Sequence, residues 1–397
     1  MSASGPSEQH MGAPTSKEPG GMALRHYIGV DVGGTKILAV ATPSGDPGTV
    51  LAELEEPTVA GPDEAPGRVD LRLDGLITRL RARLEASSTL AGIGVGLPGL
   101  VTGGGVLRWG PNLPGVTELD VAEWLGQRQG VPVSVDNDGN CAAWAEYRLG
   151  AGRPVGSQRD GGDGRDGRDG RGGGDGGDGG DGGDGGSTRA GEGGAAGRRG
   201  GVDGTADQPM VFIGLGTGIS CGLVFGGARF RGVAGFAGEP GHMIVVDGGP
   251  RCACGRDGCW EALASGSALA RAAKAAAGAD APWLLAAAGG QLNAVDGHHV
   301  TDGLRHGDAG VRAVAETFAD HVALGLVNLV HLLDPAVVVL GGSVLTEAEL
   351  WMGLIRAAYE RRIMQPSMRQ ATRLVPAMLG RRAGAVGAAL IAADAAP

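Results

Sequence analysis

Five cysteines in 397 residues are too few for a disulfide-built scaffold, which needs dense pairing to stand in for a core. Basic charge is in deficit: 34 Lys and Arg face 44 Asp and Glu, a formal charge of −10. That balance argues against a general nucleic-acid-binding or anionic-membrane surface. No uninterrupted apolar run reaches the length of a membrane helix. The best segment, Val322 to Leu333, carries Asn328 and His331. The opening MSASGPSEQHMGAPTSKEPGG is polar and lacks the basic-then-apolar order of a secretory signal. Together these absences predict a soluble, cytoplasmic protein with neither a membrane nor a nucleic-acid partner.

What the chain has in excess is glycine, 79 residues, much of it in one stretch. With 42% hydrophobic residues the length suffices for two cores. Residues 1–24 read as a disordered tail and 25–150 as a first α/β lobe. Residues 151–208 read as a disordered insert, because Gly156 to Ala206 is built of DGG and DGR units without aromatic side chains. Such a segment cannot offset the entropy of ordering. Its Asp and Gly residues could in principle hold phosphate or calcium, but the apolar residues that stack a repeating calcium site are missing. Residues 209–382 read as a second α/β lobe and 383–397 as a C-terminal helix packing back on the first.

Both lobes open the same way. HYIGVDVGGTKILAV, from His26 to Val40, reads as strand, glycine turn, strand; Val211 to Phe225 repeats the pattern around Gly214-Leu215-Gly216-Thr217-Gly218. Further strands are expected at Gly92–Gly96, Val131–Val135 and Ala336–Leu340. Helices are expected at Leu71–Ala86, after Asp138 to Leu149, at Ala309–Leu333 and at Ala383–Ala393. Alternating strands and helices specify an α/β protein.

Four clusters carry chemistry. Asp31, Gly33, Gly34, Thr35 and Lys36 follow a strand; adjacent glycines let a backbone approach a phosphate, and Asp31 could hold a Mg²⁺-bound water. An ordinary hairpin turn would look the same, and the Walker spacing is absent. Gly214, Gly216, Thr217 and Gly218 offer a second cradle, and Gly341-Gly342 a third. Three such turns at strand ends point to a nucleotide between lobes. Asp136-Asn137-Asp138 sits where a strand gives way to a helix, either as a helix cap or as a carboxylate that takes a proton from a substrate hydroxyl. His242, Cys252, Cys254 and Cys259 supply one imidazole and three thiols, the donor set of a closed structural Zn²⁺ site. Free or redox thiols are the alternative. Glu239 and Glu261 flank this cluster, as surface charge or as carboxylates that accept sugar hydroxyls.

These residues, in this order, resemble the ROK family of bacterial sugar kinases, closest to the actinobacterial glucokinases. The resemblance covers roughly residues 25–150 and 209–395 and rests on Asp31 to Lys36, Gly96-Leu97-Pro98-Gly99, Pro111-Asn112-Leu113, Asn137-Asp138, Gly216-Thr217-Gly218, Gly238 to His242, Cys252 to Glu261, and Leu340-Gly341-Gly342. It implies the two-lobed actin-like ATPase (ribonuclease H-like) fold with a zinc-binding loop, closing around a hexose, with ATP, Mg²⁺ and structural Zn²⁺ as cofactors. Asp138 would be the catalytic base for the 6-hydroxyl. Asn112, Asn137, Glu239, His242 and Glu261 would bind the sugar, with His242 also on zinc. The turns at 31–36 and 214–218 would take the phosphates, and Gly341-Gly342 would lie near the nucleoside. Homodimers or tetramers are common in the family.

The chain departs from the family pattern at Ile219-Ser220-Cys221-Gly222, which replaces a glycine-rich continuation, at Pro240, and in the long insert. Family repressors carry a helix-turn-helix domain ahead of the kinase-like part, whereas a short polar tail precedes Tyr27 here. Kinases for N-acetylmannosamine, N-acetylglucosamine or fructose fit the same motifs. Polyphosphate-using relatives generally lack the cysteine cluster.

Overall fold

The computed structural model of the chain describes residues 24–58, 69–84, 88–110, 118–153, 208–368 and 370–396; nearly all of the expected tail and of the expected insert lies outside them. In the first half β1 (Arg25–Val32), β2 (Lys36–Pro43), β3 (Ala52–Pro57) and β4 (Thr89–Leu97) are followed by a small three-stranded sheet. Its strands are β5 (Leu100–Val101), β6 (Val106–Trp109) and β7 (Leu119–Asp120); β8 (Val133–Asn137) then rejoins the main sheet. The second half contributes β9 (Met210–Leu215), β10 (Ile219–Phe225), β11 (Ala228–Arg229), β12 (Val337–Gly341) and β13 (Arg373–Pro376).

The two large sheets have the same construction. The first runs β3-β2-β1-β4-β8 and the second β11-β10-β9-β12-β13. In each, the first three strands in chain order form an antiparallel meander and the last two lie parallel to the first. The echo between residues 27–40 and 211–225 is therefore a repeated topology.

Around these sheets lie α1 (Val69–Arg81), α2 (Val121–Gln129) and α3 (Asp138–Leu149) from the first half. The second half adds α4 (Glu261–Ala264), α5 (Gly266–Ala276), α6 (Pro282–Ala287), α7 (Gly297–His306), α8 (Ala309–Leu333), α9 (Ala348–Glu360) and α10 (Ala383–Asp394). Helix α1 stops before the expected Ala86: Ala82 to Leu84 form turns, with two arginines in the last helical turn.

Side chains on a strand alternate between faces, and here both faces of each sheet are covered. Val211, Ile213, Val338 and Leu340 face a core closed by α8 and α9, while Met210, Phe212, Val337 and Val339 face α3 and α10. In the first sheet Ile28, Val30, Ile93 and Val95 pack with α1 and α2, and Leu38 and Val40 join the α3–α10 layer. Burial on two sides explains why the strands read as near-continuous apolar runs.

Helix α10 is apolar all round and sits between the sheets with α3. Its approach to the first sheet is possible only over glycine: a Cβ on Gly94 would fall 1.8 Å from the Ala388 carbonyl oxygen.

Helix α8 is long and apolar enough to cross a membrane by length and composition. Val311, Phe318, Val322, Leu326 and Val330 along it are buried in the core of the second half, which accounts for its hydropathy.

Candidate active site and metal centre

The loop after β11 is organised by hydrogen bonds around four soft donors. Pro240 opens a single 3-10 turn ending at His242. The chain then reverses: Cys252 N–H donates to the Arg256 carbonyl at 2.8 Å, Gly255 N–H to Cys252 at 3.0 Å, and Gly258 N–H to Pro250 at 2.9 Å. Ligand atoms of His242, Cys252, Cys254 and Cys259 consequently lie within 4.8 Å of one another. The Cys254 and Cys259 sulfurs are 3.6 Å apart, and Cys252 Sγ is 3.8 Å from His242 Nδ1. Tetrahedral zinc with bonds of about 2.3 Å to sulfur separates its ligands by about 3.8 Å. The donor set and its spacing fit such an ion.

Trp260 follows the cluster and anchors it. Its indole is fully buried, packs over Gly325 and donates from Nε1 to the His321 carbonyl of α8 at 2.8 Å. Glu261 thereby starts α4 with its carboxylate aimed at the β9–β10 turn, where Oε2 accepts from Ile219 N–H at 2.8 Å. Gly218 must be glycine for this contact, since a Cβ there would sit 2.4 Å from that same oxygen. The departure at Ile219 to Gly222 leaves the hairpin regular, with Ile219 opposite Leu215 and Cys221 opposite Ile213.

Asp138 stands at the first turn of α3. Asn137 caps the helix, its Oδ1 accepting from Gly139 N–H at 2.8 Å and Asn140 N–H at 3.3 Å, while its Nδ2 donates to the Gly99 carbonyl at 3.2 Å. One amide hydrogen of Asn137 stays uncommitted by these bonds. The helix start lies against β10: a Cβ on Gly139 would come within 2.3 Å of the Cys221 carbonyl oxygen, and one on Gly238 within 3.1 Å of the same atom. The aspartate turn and the loop carrying Glu239 therefore meet on one residue of one strand.

The electrostatics report the same convergence. Burial raises the Asp138 carboxyl to about 6, against the pull of the Gly139 N–H. Burial, then the charges of Asp138 and Glu261, raise Glu239 to about 7. Asp31, at the end of β1, also reaches about 7 through burial and the Asp138 charge, with Lys36 opposing. Beneath them burial keeps the Cys141 and Cys221 thiols well above their usual range, so both are neutral and inert. A cluster of desolvated carboxylates with elevated affinity for protons is what a proton-accepting, cation-binding site requires.

The glycine turns are pinned from outside. Gly33 N–H donates to Lys36 at 2.8 Å, and Thr58 Oγ1 donates to the Gly33 carbonyl at 2.6 Å. Thr35 is exposed, its carbonyl held by Thr58 N–H. Lys36 pairs with Glu55 of β3 at 3.0 Å, so its ammonium is engaged at the sheet edge. Gly214 ends inside β9; Gly216 and Thr217 accept from Gly266 N–H at 2.7 Å and Ser267 Oγ at 2.8 Å at the start of α5. Gly341 closes β12, and Gly342 adopts φ +93°. Asn112 lies outside the described residues.

Sequence reasoning left out Arg229 and Arg231. Asp136, 3% exposed, accepts from Arg229 through Oδ2, and Arg231 Nε lies 3.7 Å from the same oxygen. Two arginines at alternate positions were visible, but nothing local pointed them at a carboxylate in the other half of the chain.

The sequence profile of the ROK family matches residues 27–157 and 202–395. The chain belongs to the ROK family. The gap between the matched stretches falls inside the glycine-rich insert. Among ROK-related proteins, the glucokinase of Streptomyces coelicolor is 30% identical over 371 residues, covering 92% of this chain and 97% of that protein. An N-acetylmannosamine kinase of Escherichia coli O157:H7 is 28% identical, covering 92% and 97%. The crystal structure of a ROK glucokinase from Streptomyces griseus with glucose and AMPPNP superposes with a TM-score of 0.71 at 29% identity, covering 93% of this chain and 99% of that one. The mixed α/β architecture is thus the actin-like ATPase fold of ROK sugar kinases.

Proposed function

We propose that this ROK protein is an ATP-dependent sugar kinase that phosphorylates the 6-hydroxyl of a hexose, with glucose the favoured acceptor. The observation that carries the proposal is the meeting of Asp138 and the Glu239 loop on Cys221, beside a four-donor metal cluster. Asp138 is the general base. With a pKa of about 6 it is ionised at neutral pH yet basic enough to draw the proton from a hydroxyl under attack. Glu239, His242, the uncommitted amide hydrogen of Asn137 and the remaining lone pairs of Glu261 orient the sugar, and Asn112 is assigned the same task.

Asp31 and the turns Gly33-Gly34-Thr35-Lys36 and Gly214 to Gly218 face the phosphates, and Gly341-Gly342 the nucleoside. When bound, Mg²⁺-ATP supplies the phosphoryl group and neutralises charge on it. Asp31 fits the cation because it is a buried carboxylate and Lys36, the cation that acts on its charge, is already paired with Glu55. Phosphoryl transfer requires positioning more than covalent chemistry, and these residues supply position. A structural Zn²⁺ held by His242, Cys252, Cys254 and Cys259 would fix the loop that presents Glu239 and Glu261. The proposal extends to a cytoplasmic homodimer or tetramer without nucleic-acid or membrane partners.

Support for glucose comes from the Streptomyces glucokinases; the N-acetylmannosamine kinase marks the leading alternative. A coupled assay with Mg²⁺-ATP and glucose, mannose, fructose, N-acetylglucosamine and N-acetylmannosamine tests both. Highest kcat/KM on glucose is expected. Turnover of none of the five would overturn the kinase, and preference for an N-acetylated sugar would overturn glucose.

A further inference from the structure

The base and the sugar-binding glutamate sit on different halves of the chain, so something must hold them in register. One buried carboxylate at the junction, Asp136, lies next in sequence but one to the base itself. Asp136 Oδ1 accepts from Asn137 N–H at 2.8 Å and from Asn140 Nδ2 at 2.9 Å, which ties it to the turn bearing Asp138. Its Oδ2 accepts from Arg229 Nη1 and faces Arg231 Nε at 3.7 Å, which ties it to β11 and the segment leading to Glu239.

Each arginine makes a further contact across the junction. The Arg229 guanidinium lies 5.7 Å from the centre of the Trp144 ring on α3. Arg231 Nη2 donates to the Gly103 carbonyl at 3.0 Å, and its own carbonyl accepts from Ala237 N–H at 3.1 Å. Glu239 follows two residues later. A mechanical path of hydrogen bonds, one ion pair and short stretches of chain therefore runs from the Asp138 turn through Asp136 and the arginines to Glu239.

A buried ion pair is weak evidence of stability, because apolar residues of equal volume often do as well. Direction is what it supplies: a carboxylate with three donors at fixed angles and a further guanidinium at 3.7 Å cannot slide as a methyl contact can. We propose that Asp136 and Arg229 are positioning residues, a buried clamp between β8 and β11 that fixes the base Asp138 opposite Glu239. Neither touches substrate; both act through the turn they hold. The inference rests on the sugar-kinase assignment of Asp138 and Glu239.

The test is the double substitution Asp136→Asn/Arg229→Met, which removes the Asp136 and Arg229 charges together and keeps the apolar stem over Trp144. Arg231 loses its carboxylate but is only partly buried and keeps its bond to the Gly103 carbonyl. Melting temperature and bound zinc verify folding. Misplacing reacting groups by about 1 Å costs on the order of 100-fold, so kcat for the preferred sugar should fall about 10- to 100-fold while KM changes by less than about threefold. Arg229→Lys should recover part of kcat, and the two single substitutions should be non-additive. Amide exchange at Gly139 and Asn140 should quicken in the double variant. A kcat within about twofold of wild type, or a loss confined to KM, would overturn the clamp. If the wild-type chain phosphorylates no sugar, the kinase proposal fails separately, and unchanged exchange at those two amides would overturn the clamp as well.

Discussion

The carboxylate assigned to catalysis should be a burden on the fold, and Asp138→Asn measures both roles at once. Asparagine is isosteric, and Gly139 N–H, which donates to Asp138 Oδ1 at 2.8 Å, is also held by Asn137 Oδ1 at 2.8 Å. The helix start is therefore retained. Burial raises Asp138 from 3.8 to about 6, a difference of about two pH units worth about 3 kcal/mol. The sign follows from proton linkage. A raised folded-state pKa means that the native protein holds this proton more tightly than the unfolded chain. The penalty of ionising Asp138 in place is thus absent below pH 4, grows as pH rises through 6, and is complete at pH 8. Asp138→Asn should raise the melting temperature at pH 8 by several degrees, at roughly 2 °C per kcal/mol, and the gain should vanish toward pH 4. The relief extends to Asp31 and Glu239, both of which the Asp138 charge pushes up. Meanwhile kcat should fall by about 10²- to 10⁴-fold, the range for losing a general base. Paired calorimetry and coupled-assay kinetics at pH 5 and 8 decide the matter. A kcat within about tenfold of wild type would refute the base, and a melting temperature that drops at pH 8 would refute the desolvation argument.

Three further outcomes are expected. The kcat/KM profile should decline as pH falls from 7 to 6, where Glu239 and then Asp138 take up protons; a flat profile down to pH 5 would contradict this. Cys254→Ser should cost the protein its metal, its sugar turnover and several degrees of melting temperature together, read by elemental analysis and calorimetry, and full activity without metal would exclude a scaffold role. Gly218→Ala should destabilise by about 1–3 kcal/mol and raise sugar KM, because the new methyl would sit 2.4 Å from Glu261 Oε2. Urea melts and kinetics check it, and an unaltered KM would detach Glu261 from the sugar.

Much of the fold is legible in the sequence because its strands are buried on two sides. Val337 to Leu340 is apolar at every position since alternate residues serve different cores. The cysteines announce themselves by spacing, and their thiols do converge with His242. Helices α4 to α6 are harder to see. Between Ala262 and Ala288 alanine dominates, and alanine marks no stripe, so the breaks made by the Ser265 cap and Pro282 carry the only signal. Lys36 shows what a motif leaves out: its spacing suits a phosphate, and the structure adds a pairing of its ammonium with Glu55 on a strand whose register the motif does not encode. Asp136 and Arg229 are still less visible, because their pairing depends on how two halves separated by the insert are brought together.

The close seating of α10 on Gly94 has a bearing on assembly. The first sheet is lined on its inner face by a helix that arrives only after all of the second half has been threaded, so neither half can finish its own interior alone. Cleaving the chain within the glycine-rich stretch should yield pieces that recombine rather than two self-sufficient modules, and the unaccompanied first piece would present bare backbone along Gly29 and Gly94 where Ala385, Ala388 and Ala389 belong.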